Sequence, residues 1–223
     1  MRLRNIPRAE EVLASCPQVI KNETTYFNHW HEMLETSNPI HIEIGMGKGQ
    51  FLLQLAARNP EINYIGIERY SSVLLRAVEK YQFLSLQEDS SAPTNIHFIC
   101  MDATEIENVF APGEVDKIYL NFSDPWPKAR HARRRLTSRQ FFSRYDKILT
   151  ENGCVEFKTD NRPLFDFSIE ELQETPYFQM TACTFDLHHD ESMNQGNIMT
   201  EYEAKFSAMG NPIYKLIASH FSH

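Results

Sequence analysis

Five acidic residues lie at or near the ends of short apolar segments of the sequence, and together they could form one anionic binding crevice. They are Glu43, Glu68, Asp102, Asp124 and Asp160. A lone acid in such a place is ordinarily a helix cap or a turn residue. Ligands of open α/β sheets, however, bind beyond the carboxyl ends of the parallel strands. Five acids at those ends therefore predict a site for a ligand that is cationic or rich in hydrogen-bond donors.

The segment EIGMGKGQF, residues 43–51, narrows the class of ligand. Gly45, Gly47 and Gly49 let a ligand approach the backbone where a Cβ atom would clash. Their spacing matches neither a P-loop nor the dinucleotide fingerprint G-x-G-x-x-G. Because Glu43 lies beside the loop, it would repel a pyrophosphate and attract the ammonium of an amino acid.

Two more acids suit the remaining parts of such a ligand. Glu68 follows the glycines by about 20 residues, the separation at which an acid binds ribose hydroxyls, and Asp102 is placed to accept from an adenine amino group. A ligand with an ammonium, a ribose and an adenine but no phosphate is S-adenosylmethionine, whose product is S-adenosylhomocysteine. We therefore predict this cofactor, with Glu43, Gly45, Gly47, Glu68 and Asp102 around it.

A run of cations follows the fourth acid, in the stretch LNFSDPWPKARHARRRLT at residues 120–137. Its two prolines fix φ and stiffen the backbone around Asp124 and Trp126. Between residues 128 and 139 lie six Lys or Arg and no acid, in a chain of net charge −8. Such a run is often a solvated helix start, but it can also hold a polyanion. Trp126 is either a core aromatic or a platform for stacking a base.

The elements that must position these residues follow a βαβ pattern. From residue 40 onward, β-branched or aromatic runs alternate with segments of helical periodicity, which predicts a parallel sheet covered by helices. Strands are predicted at residues 40–45, 63–68, 95–102, 115–124, 153–160, 178–187 and 203–210. Residues 1–37 form a polar N-terminal arm whose structure the pattern does not specify, residues 38–223 form a single domain, and residues 85–94 form a solvated loop.

Composition indicates a folded cytoplasmic protein. Hydrophobic residues make up 42% and charged residues 23% of the chain, as in ordinary globular proteins. The four cysteines are scattered without metal-like spacing, which predicts reduced core residues. No apolar run reaches the length of about 18 residues that would span a membrane. His188 and His189, adjacent on a strand, would point to opposite faces, so we predict no metal site.

Three stretches resemble those of a known family: YLNFSDPWPKARHARRRLT, EFKTDN and GNIMTEYEAKF. They closely resemble the bacterial tRNA (guanine-N7-)-methyltransferase family, and the likeness covers nearly the whole chain, although the 85–94 loop looks longer than is usual there. The resemblance implies an α/β fold of the Rossmann-like class I methyltransferase type, with a mostly parallel seven-stranded sheet, helices on both faces and an antiparallel strand near the C-terminus.

The resemblance also implies the reaction and the partners. A methyl group would pass from S-adenosylmethionine to N7 of a guanosine in the tRNA variable loop, at position 46, to form 7-methylguanosine. The expected partner is tRNA, with neither DNA nor a membrane, and the protein is expected to be a monomer or a homodimer.

Residue by residue, the resemblance makes Asp124 the catalytic residue and places it at the cofactor with Glu43, Glu68 and Asp102. It implies the following contacts with the tRNA substrate: Lys128, Arg130, His131, Arg133, Arg134, Arg135, Asp160, Thr200, Tyr202 and Glu203. Without the resemblance, Thr200 and Tyr202 would be interpreted as the approach to the last strand.

The residues are consistent with this chemistry. Guanine N7 carries an unprotonated lone pair at neutral pH, so the attack needs no general base. We expect Asp124, with Asp160 or Glu203, to accept hydrogen bonds from guanine N1 and N2, which selects guanine and offsets the positive charge of the product.

Three other functions stay open on the residues alone. The S-D-P-W-P loop is similar to loops of methyltransferases that act on exocyclic amines of DNA or ribosomal RNA. A nicotinamide oxidoreductase is opposed by the broken glycine fingerprint. A non-catalytic RNA-binding module would have no use for five aligned acids.

Overall fold

The computed structural model describes residues 6–87 and 92–221, in which eight strands form one sheet. The strands are β1 (Val19–Ile20), β2 (Ile40–Ile44), β3 (Asn63–Glu68), β4 (Ile96–Cys100), β5 (Val115–Asn121), β6 (Leu149–Thr159), β7 (Phe178–Thr184) and β8 (Tyr214–His220). Their order across the sheet is β1-β4-β3-β2-β5-β6-β8-β7. In this order, each strand from β1 across the sheet to β6 pairs in parallel with its neighbour. Strand β8 is antiparallel to both of its neighbours, β6 and β7. The mostly parallel sheet with an antiparallel strand near the C-terminus is thus confirmed.

The α-helices are α1 (Ala9–Ser15), α2 (Trp30–Met33), α3 (Gln50–Arg58), α4 (Ser71–Ser85), α5 (Arg139–Ile148), α6 (Arg162–Gln173), α7 (Glu191–Asn194) and α8 (Glu201–Ala208). Short 3-10 helices lie at Glu23–Tyr26, Ala103–Asn108, Ala129–Arg134 and Leu187–His189. The two helices α5 and α6 flank β6 along the chain, as the βαβ pattern predicts. Ser138 is the residue just before α5, and the Asn161 side chain caps α6 by accepting from the Leu164 amide at 2.9 Å.

Two apolar layers cover the sheet because successive side chains of a strand point to opposite faces. In β3, Ile65 and Ile67 belong to a buried cluster that includes Phe142 of α5 and Phe165 of α6. Tyr64, which precedes Ile65 and points to the other face, belongs instead to the cluster of α3 and α4. The predicted helices on both faces are therefore confirmed.

The strand predicted at residues 203–210 is wrong, because most of that segment is α8 and the last strand is β8. The Thr200 hydroxyl accepts from the Glu203 amide at 2.9 Å, and the Glu203 carboxylate accepts from the Thr200 amide at 3.4 Å. This reciprocal capping box starts a helix, and its signature T-x-x-E is present in the sequence.

The N-terminal segment is packed into the sheet. Its two-residue strand β1 pairs with β4, which raises the predicted seven strands to eight. Trp30 is fully buried, its indole Nε1 donates to the Val109 carbonyl at 2.8 Å, and its ring stacks on Phe110 at 4.9 Å between centroids. The boundary at residue 38 between an arm and a domain stays a prediction.

Three smaller expectations have different outcomes. Of the loop predicted at 85–94, residues 88–91 lie outside the described part of the chain, and Ser85 still belongs to α4. All four cysteines are free, but the prediction that all are core residues is wrong, since Cys16 is buried and Cys100 is exposed. Among the described residues, no helix has the length and apolar character needed to cross a membrane.

Trp30→Ala should lower the free energy of unfolding by about 3–5 kcal/mol, because it removes a buried aromatic ring and leaves a cavity. The control is Phe27→Ala, since Phe27 is 41% exposed in the same segment and its loss should cost less than about 1 kcal/mol. Urea unfolding followed by circular dichroism measures both changes. Equal losses in the two variants would show that the segment before residue 38 is not part of the core.

Candidate active site

The carboxyl ends of three neighbouring strands bring acidic and amide side chains together. Glu43 lies near the end of β2, Glu68 ends β3 and Asn121 ends β5. Strand β2 lies between the other two and pairs with both. The parallel topology therefore gathers two of the predicted acids at one edge of the sheet.

Glu43 is a buried carboxyl group that is only partly satisfied. It is 2% exposed, and its Oε1 accepts from the Asn121 side-chain amide at 2.9 Å. Its Oε2 and the Asn121 Oδ1 are buried without a hydrogen-bond partner among the described residues. Burial raises the pKa of Glu43 to about 8, although the Asn121 bond and the Lys158 charge oppose this shift. Since buried acceptors ordinarily have donors, this pair suits a ligand that supplies donors or a positive charge.

Glu68 shapes the glycine loop that follows β2. Its two carboxylate oxygens accept from the amides of Gly47 at 3.1 Å and Tyr70 at 3.0 Å. Burial raises the pKa of Glu68 against these hydrogen bonds, and the nearby Asp124 charge adds to the rise. Asp124 therefore lies close enough to Glu68 to act on it electrostatically.

The glycine loop leaves room for a ligand beside Glu68. Gly45 begins the loop, and its amide donates to the Ile67 carbonyl at 2.8 Å. A Cβ atom on Gly47 would meet no atom within 4 Å, so this backbone faces open space. At Gly49, φ is +72° and a Cβ atom would lie 2.8 Å from the Ala77 Cβ, so glycine is required there for the loop to pack against α4.

Asp102 lies beyond the end of β4, one strand further from Glu43 than Glu68 is. Its carboxylate accepts from the amide and the hydroxyl of Thr104, both at 3.0 Å, and lies 3.3 Å from Arg69. Partial desolvation would raise the pKa of Asp102, but the Thr104 hydrogen bonds and the Arg69 charge keep it below the ordinary value. Together with Glu43 and Glu68, it lines an edge of acidic side chains, whose hydrogen-bond acceptors suit an ammonium and hydroxyl groups better than a phosphate.

The loop after β5 is held in an uncommon backbone conformation. Phe122 and Trp126 have φ values of 50° and 41°, in the left-handed region that non-glycine residues rarely adopt. The Arg135 guanidinium donates to the carbonyls of Pro125 at 3.0 Å and Trp126 at 3.1 Å. The same guanidinium lies over the Phe167 ring of α6 at 4.2 Å. Arg135, predicted as a tRNA contact, is thus engaged in fixing this loop.

Asp124 and Asp160 are the acids of the site that stay free for another molecule. They follow β5 and β6, which pair with each other. Asp124 is exposed and Asp160 is half-buried. Within residues 6–87 and 92–221, no hydrogen bond or ion pair holds either carboxylate. Two unpaired acceptors at adjacent strand ends could bind two neighbouring donors of one ligand.

Trp126 lies next to the cationic segment that follows the loop. The Arg134 guanidinium is 5.1 Å from the centre of its ring, and the His131 ring meets it edge-on at 5.7 Å. The indole is half-buried in this cluster and does not belong to either apolar core cluster of the described chain.

The cationic segment divides into paired and unpaired residues. Arg139 pairs with Glu171: its Nη2 donates to Oε1 at 2.9 Å and its Nε donates to Oε2 at 3.3 Å. By contrast, the following exposed cations have no carboxylate partner in the described part of the chain: Lys128, Arg130, Arg133 and Arg134. Four unpaired cations in a protein of net charge −8 form a surface suited to a polyanion.

The segment 200–203 has one exposed and two buried predicted site residues. Tyr202 is 60% exposed and stacks on Phe122, with 6.4 Å between ring centroids. Thr200 and Glu203 form the capping box of α8, and Glu203 is fully buried. The Glu203 carboxylate lies 2.7 Å from the Lys158 ammonium, so its buried contacts within the protein favour a positioning role over a substrate contact.

Sequence reasoning missed Asn121, Arg135 as a loop anchor, and Lys158. Asn121 precedes the S-D-P-W-P loop by two positions, but nothing in the sequence indicates its bond to Glu43, 78 positions away. Lys158 could have been found from the sequence. A lysine inside the apolar run of EFKTD lies on a buried strand, and a buried ammonium needs a partner.

Glu43→Gln should stabilise the cofactor-free protein increasingly as the pH rises from 5 to 8. An ordinary glutamate carboxyl has a pKa of 4.5, and burial raises the pKa of Glu43 to about 8 in the folded state. Between these values the folded state holds the proton more tightly, so wild-type stability is full below the lower pKa and falls as pH rises through the higher one. The loss is at most about 1.4 kcal/mol per pH unit.

Urea unfolding of both proteins at several pH values measures this difference, with Glu61→Gln as a surface control. Glu61 is exposed, so its replacement should leave the pH dependence unchanged. A constant difference between wild type and Glu43→Gln across the range would contradict the raised pKa.

Comparison with known proteins shows that this chain is similar to methyltransferases. A family model described as "Putative methyltransferase" matches residues 37–216. The tRNA (guanine-N(7)-)-methyltransferase of Lachnoclostridium phytofermentans is 56% identical and covers 98% of each chain. The tRNA (guanine-N(7)-)-methyltransferase of Bacillus subtilis (strain 168) is 46% identical over 96% of this chain and 97% of its own.

Solved structures match at the level of the fold. The 16S rRNA methyltransferase KamB has a TM-score of 0.64 at 10% identity, over 87% of this chain and 94% of its own. A structure described as an antibiotic-related methyltransferase has a TM-score of 0.63 at 17% identity, over 87% and 94%. The predicted class I methyltransferase fold is confirmed. Because relatives of 46–56% identity align over almost its full length, the chain belongs to the tRNA (guanine-N(7)-)-methyltransferase family.

Proposed function

We propose that this protein transfers the methyl group of S-adenosylmethionine to N7 of a guanosine in the tRNA variable loop, at position 46, and forms 7-methylguanosine. The observation that carries the proposal is the pair of carboxylates left unpaired among the described residues, Asp124 and Asp160, between an anionic crevice and a surface of unpaired cations. The names of the full-length relatives support the same substrate and the same atom.

The cofactor would occupy the crevice at the ends of β2, β3 and β4. Oε2 of Glu43 and Oδ1 of Asn121, which have no partner in the described part of the chain, suit its ammonium group. Glu68 and Asp102 suit its ribose and adenine donors. Gly45 and Gly47 would let it pass close to the backbone. When bound, S-adenosylmethionine supplies an electrophilic methyl group on a sulfonium sulfur that leaves with the bonding electron pair.

The residues of this chain would orient the guanine and compensate its new charge. Guanine N7 forms its bond to carbon with its own lone pair, so no side chain has to remove a proton. Asp124 and Asp160 would accept from the N1 and N2 donors, which adenine does not present in this arrangement. Because N7 becomes positively charged, fixed carboxylates stabilise charge that develops in the transition state. Orientation alone supplies roughly 7–11 kcal/mol in favourable systems.

The tRNA backbone would lie along the cationic segment after the loop. Lys128, Arg130, Arg133 and Arg134 are exposed and have no carboxylate partner in the described residues, and His131 lies among them. Trp126 and Tyr202 offer aromatic surface close to Asp124. These features favour tRNA as the partner. For the location and the oligomeric state we propose a cytoplasmic protein that works as a monomer or a homodimer.

Incubating unmodified tRNA with methyl-labelled S-adenosylmethionine and digesting the product tests the proposal. Label should appear in 7-methylguanosine. Asp124→Ala should lower turnover by about 10²–10³-fold, as loss of a group that stabilises transition-state charge does, while the dissociation constant for tRNA changes little. Label in N6-methyladenosine would overturn the substrate, and full turnover by Asp124→Ala would overturn its catalytic role.

Replacing Arg133 and Arg134 together by Ala should weaken tRNA binding and flatten its salt dependence. Loss of two phosphate contacts reduces the slope of log K against log salt by about one to two units. The matched control is Arg139→Ala, which removes a cation of the same run that is already paired with Glu171. Filter binding at several salt concentrations measures the slopes, and affinity for S-adenosylhomocysteine should stay constant. A slope unchanged from wild type would exclude Arg133 and Arg134 from the interface.

A further inference from the structure

Lys158 is a fully buried cation that connects two parts of the candidate site. Its ammonium donates to the Asn197 side-chain carbonyl at 3.0 Å, the Ile198 carbonyl at 3.0 Å and the Glu203 carboxylate at 2.7 Å. An ammonium has three N–H donors, so all of them are used within the segment 197–203. The side chain is 0% exposed, as is that of Glu203. Solvent therefore does not screen this pair as it does a surface ion pair.

The backbone of Lys158 contacts the second part of the site, the loop after β5. Its carbonyl accepts from the amide of Phe122 at 2.8 Å, and in the sheet register Lys158 lies opposite Asn121. Phe122 is the left-handed residue that begins the loop containing Asp124. The Phe122 ring stacks on Tyr202, at an angle of 19° between the rings. One lysine thus contacts both the loop that carries Asp124 and the segment that lies on that loop.

The segment 197–203 depends on these contacts for its place. It lies between Gly196 and Gly210, whose φ values of 71° and 82° are turn conformations with open space around them. Inside it, the Asn197 amide donates to Glu203 at 2.7 Å, so Asn197, Glu203 and Lys158 form one hydrogen-bonded network. His188 Nε2 lies 3.4 Å from the same Glu203 oxygen. On the outer side, Glu201 lies 3.4 Å from Lys48 and also pairs with Lys80, but these contacts are partly exposed and weaker.

We propose that Lys158 is a positioning residue for the methyl-transfer reaction, which seats Tyr202 against Phe122 beside Asp124 and so shapes the guanine site. The proposal rests on the proposed function for its substrate. Lys158 itself touches no reacting atom. Its buried ammonium fixes the segment 197–203 through three hydrogen bonds. The Tyr202 ring of that segment then packs on Phe122, the first residue of the loop that contains Asp124. The alternative is a purely structural ion pair, whose loss would lower activity only by destabilising the fold.

The test variant is Lys158→Met with Glu203→Gln, which removes both charges and leaves no buried charge unpaired. Gln at position 203 still completes a capping box with Thr200 and still accepts from Asn197. The matched control is Lys117→Met. Lys117 pairs with Glu156 at 2.8 Å on the same two strands, and Glu156 keeps Lys215 at 3.1 Å when Lys117 is lost.

Hydrogen exchange reports on positioning without any substrate. In the double variant, the amides of residues 197–203 should exchange at least about 10-fold faster, because their local opening becomes easier. The amides of β2 and β5 should keep their wild-type protection. The Lys117→Met protein should show no change in 197–203. Unchanged exchange of this segment in the double variant would overturn the proposal.

Kinetics then separate positioning from general destabilisation. Tyr202→Ala and the double variant should each lower kcat/KM for tRNA by about 10-fold or more. Tyr202→Ala should keep the affinity for S-adenosylhomocysteine within about threefold of wild type. Combined in one protein, the changes should give little further loss, because both act through the same ring. Losses that multiply would overturn the proposal. Failure of the proposed function would show separately, as wild-type protein that forms no 7-methylguanosine.

Discussion

Burying an ionisable group is costly unless a partner compensates its charge or its pKa shifts, and this protein buries two such groups at the carboxyl edge of its sheet. Lys158 is fully compensated, by a carboxylate and two carbonyl groups. Glu43 is not, since one of its oxygens has no partner among the described residues and burial raises its pKa to about 8. The complete network fixes structure, whereas the incomplete one suits a ligand. Lys158 therefore belongs to the framework of the site, and Glu43 to the groups suited to bind a ligand.

Backbone strain in the loop after β5 is explained by the same framework. Left-handed conformations at Phe122 and Trp126 cost free energy of order 1–3 kcal/mol each and persist only where neighbours enforce them. The Lys158 carbonyl holds the first residue, and the Arg135 guanidinium holds the carbonyl of the second. Since Arg135 also packs on Phe167 of α6, the loop is anchored to a helix of the core. Its conformation therefore belongs to the fold and does not require a substrate to create it.

The sequence predicted the features that arise from local pattern. Alternating apolar runs located β2 to β7, and the acids at their ends were recognised because parallel strands end at one edge. The segment 203–210 has apolar residues at every second position, which is a strand pattern. The short capping signature T-x-x-E, which begins a helix at this point, is the weaker signal in the sequence. The roles of Lys158 and Arg135 could not be predicted, because each depends on which surfaces tertiary packing brings together. Glu203 lies 45 positions from Lys158, and nothing local pairs them.

The rigid loop also explains how opposite charges stay available within one short stretch. Asp124 lies within 15 positions of six cations, yet it forms no ion pair within residues 6–87 and 92–221. In a flexible segment such charges would pair with one another and neutralise the site. Two prolines, a left-handed Trp126 and the Arg135 anchor restrict the loop, so Asp124 is held apart from Arg133 and Arg134. Under the proposed function, the carboxylate would contact a base and the cations would contact phosphates of the same polynucleotide, because the loop keeps them apart before any RNA binds.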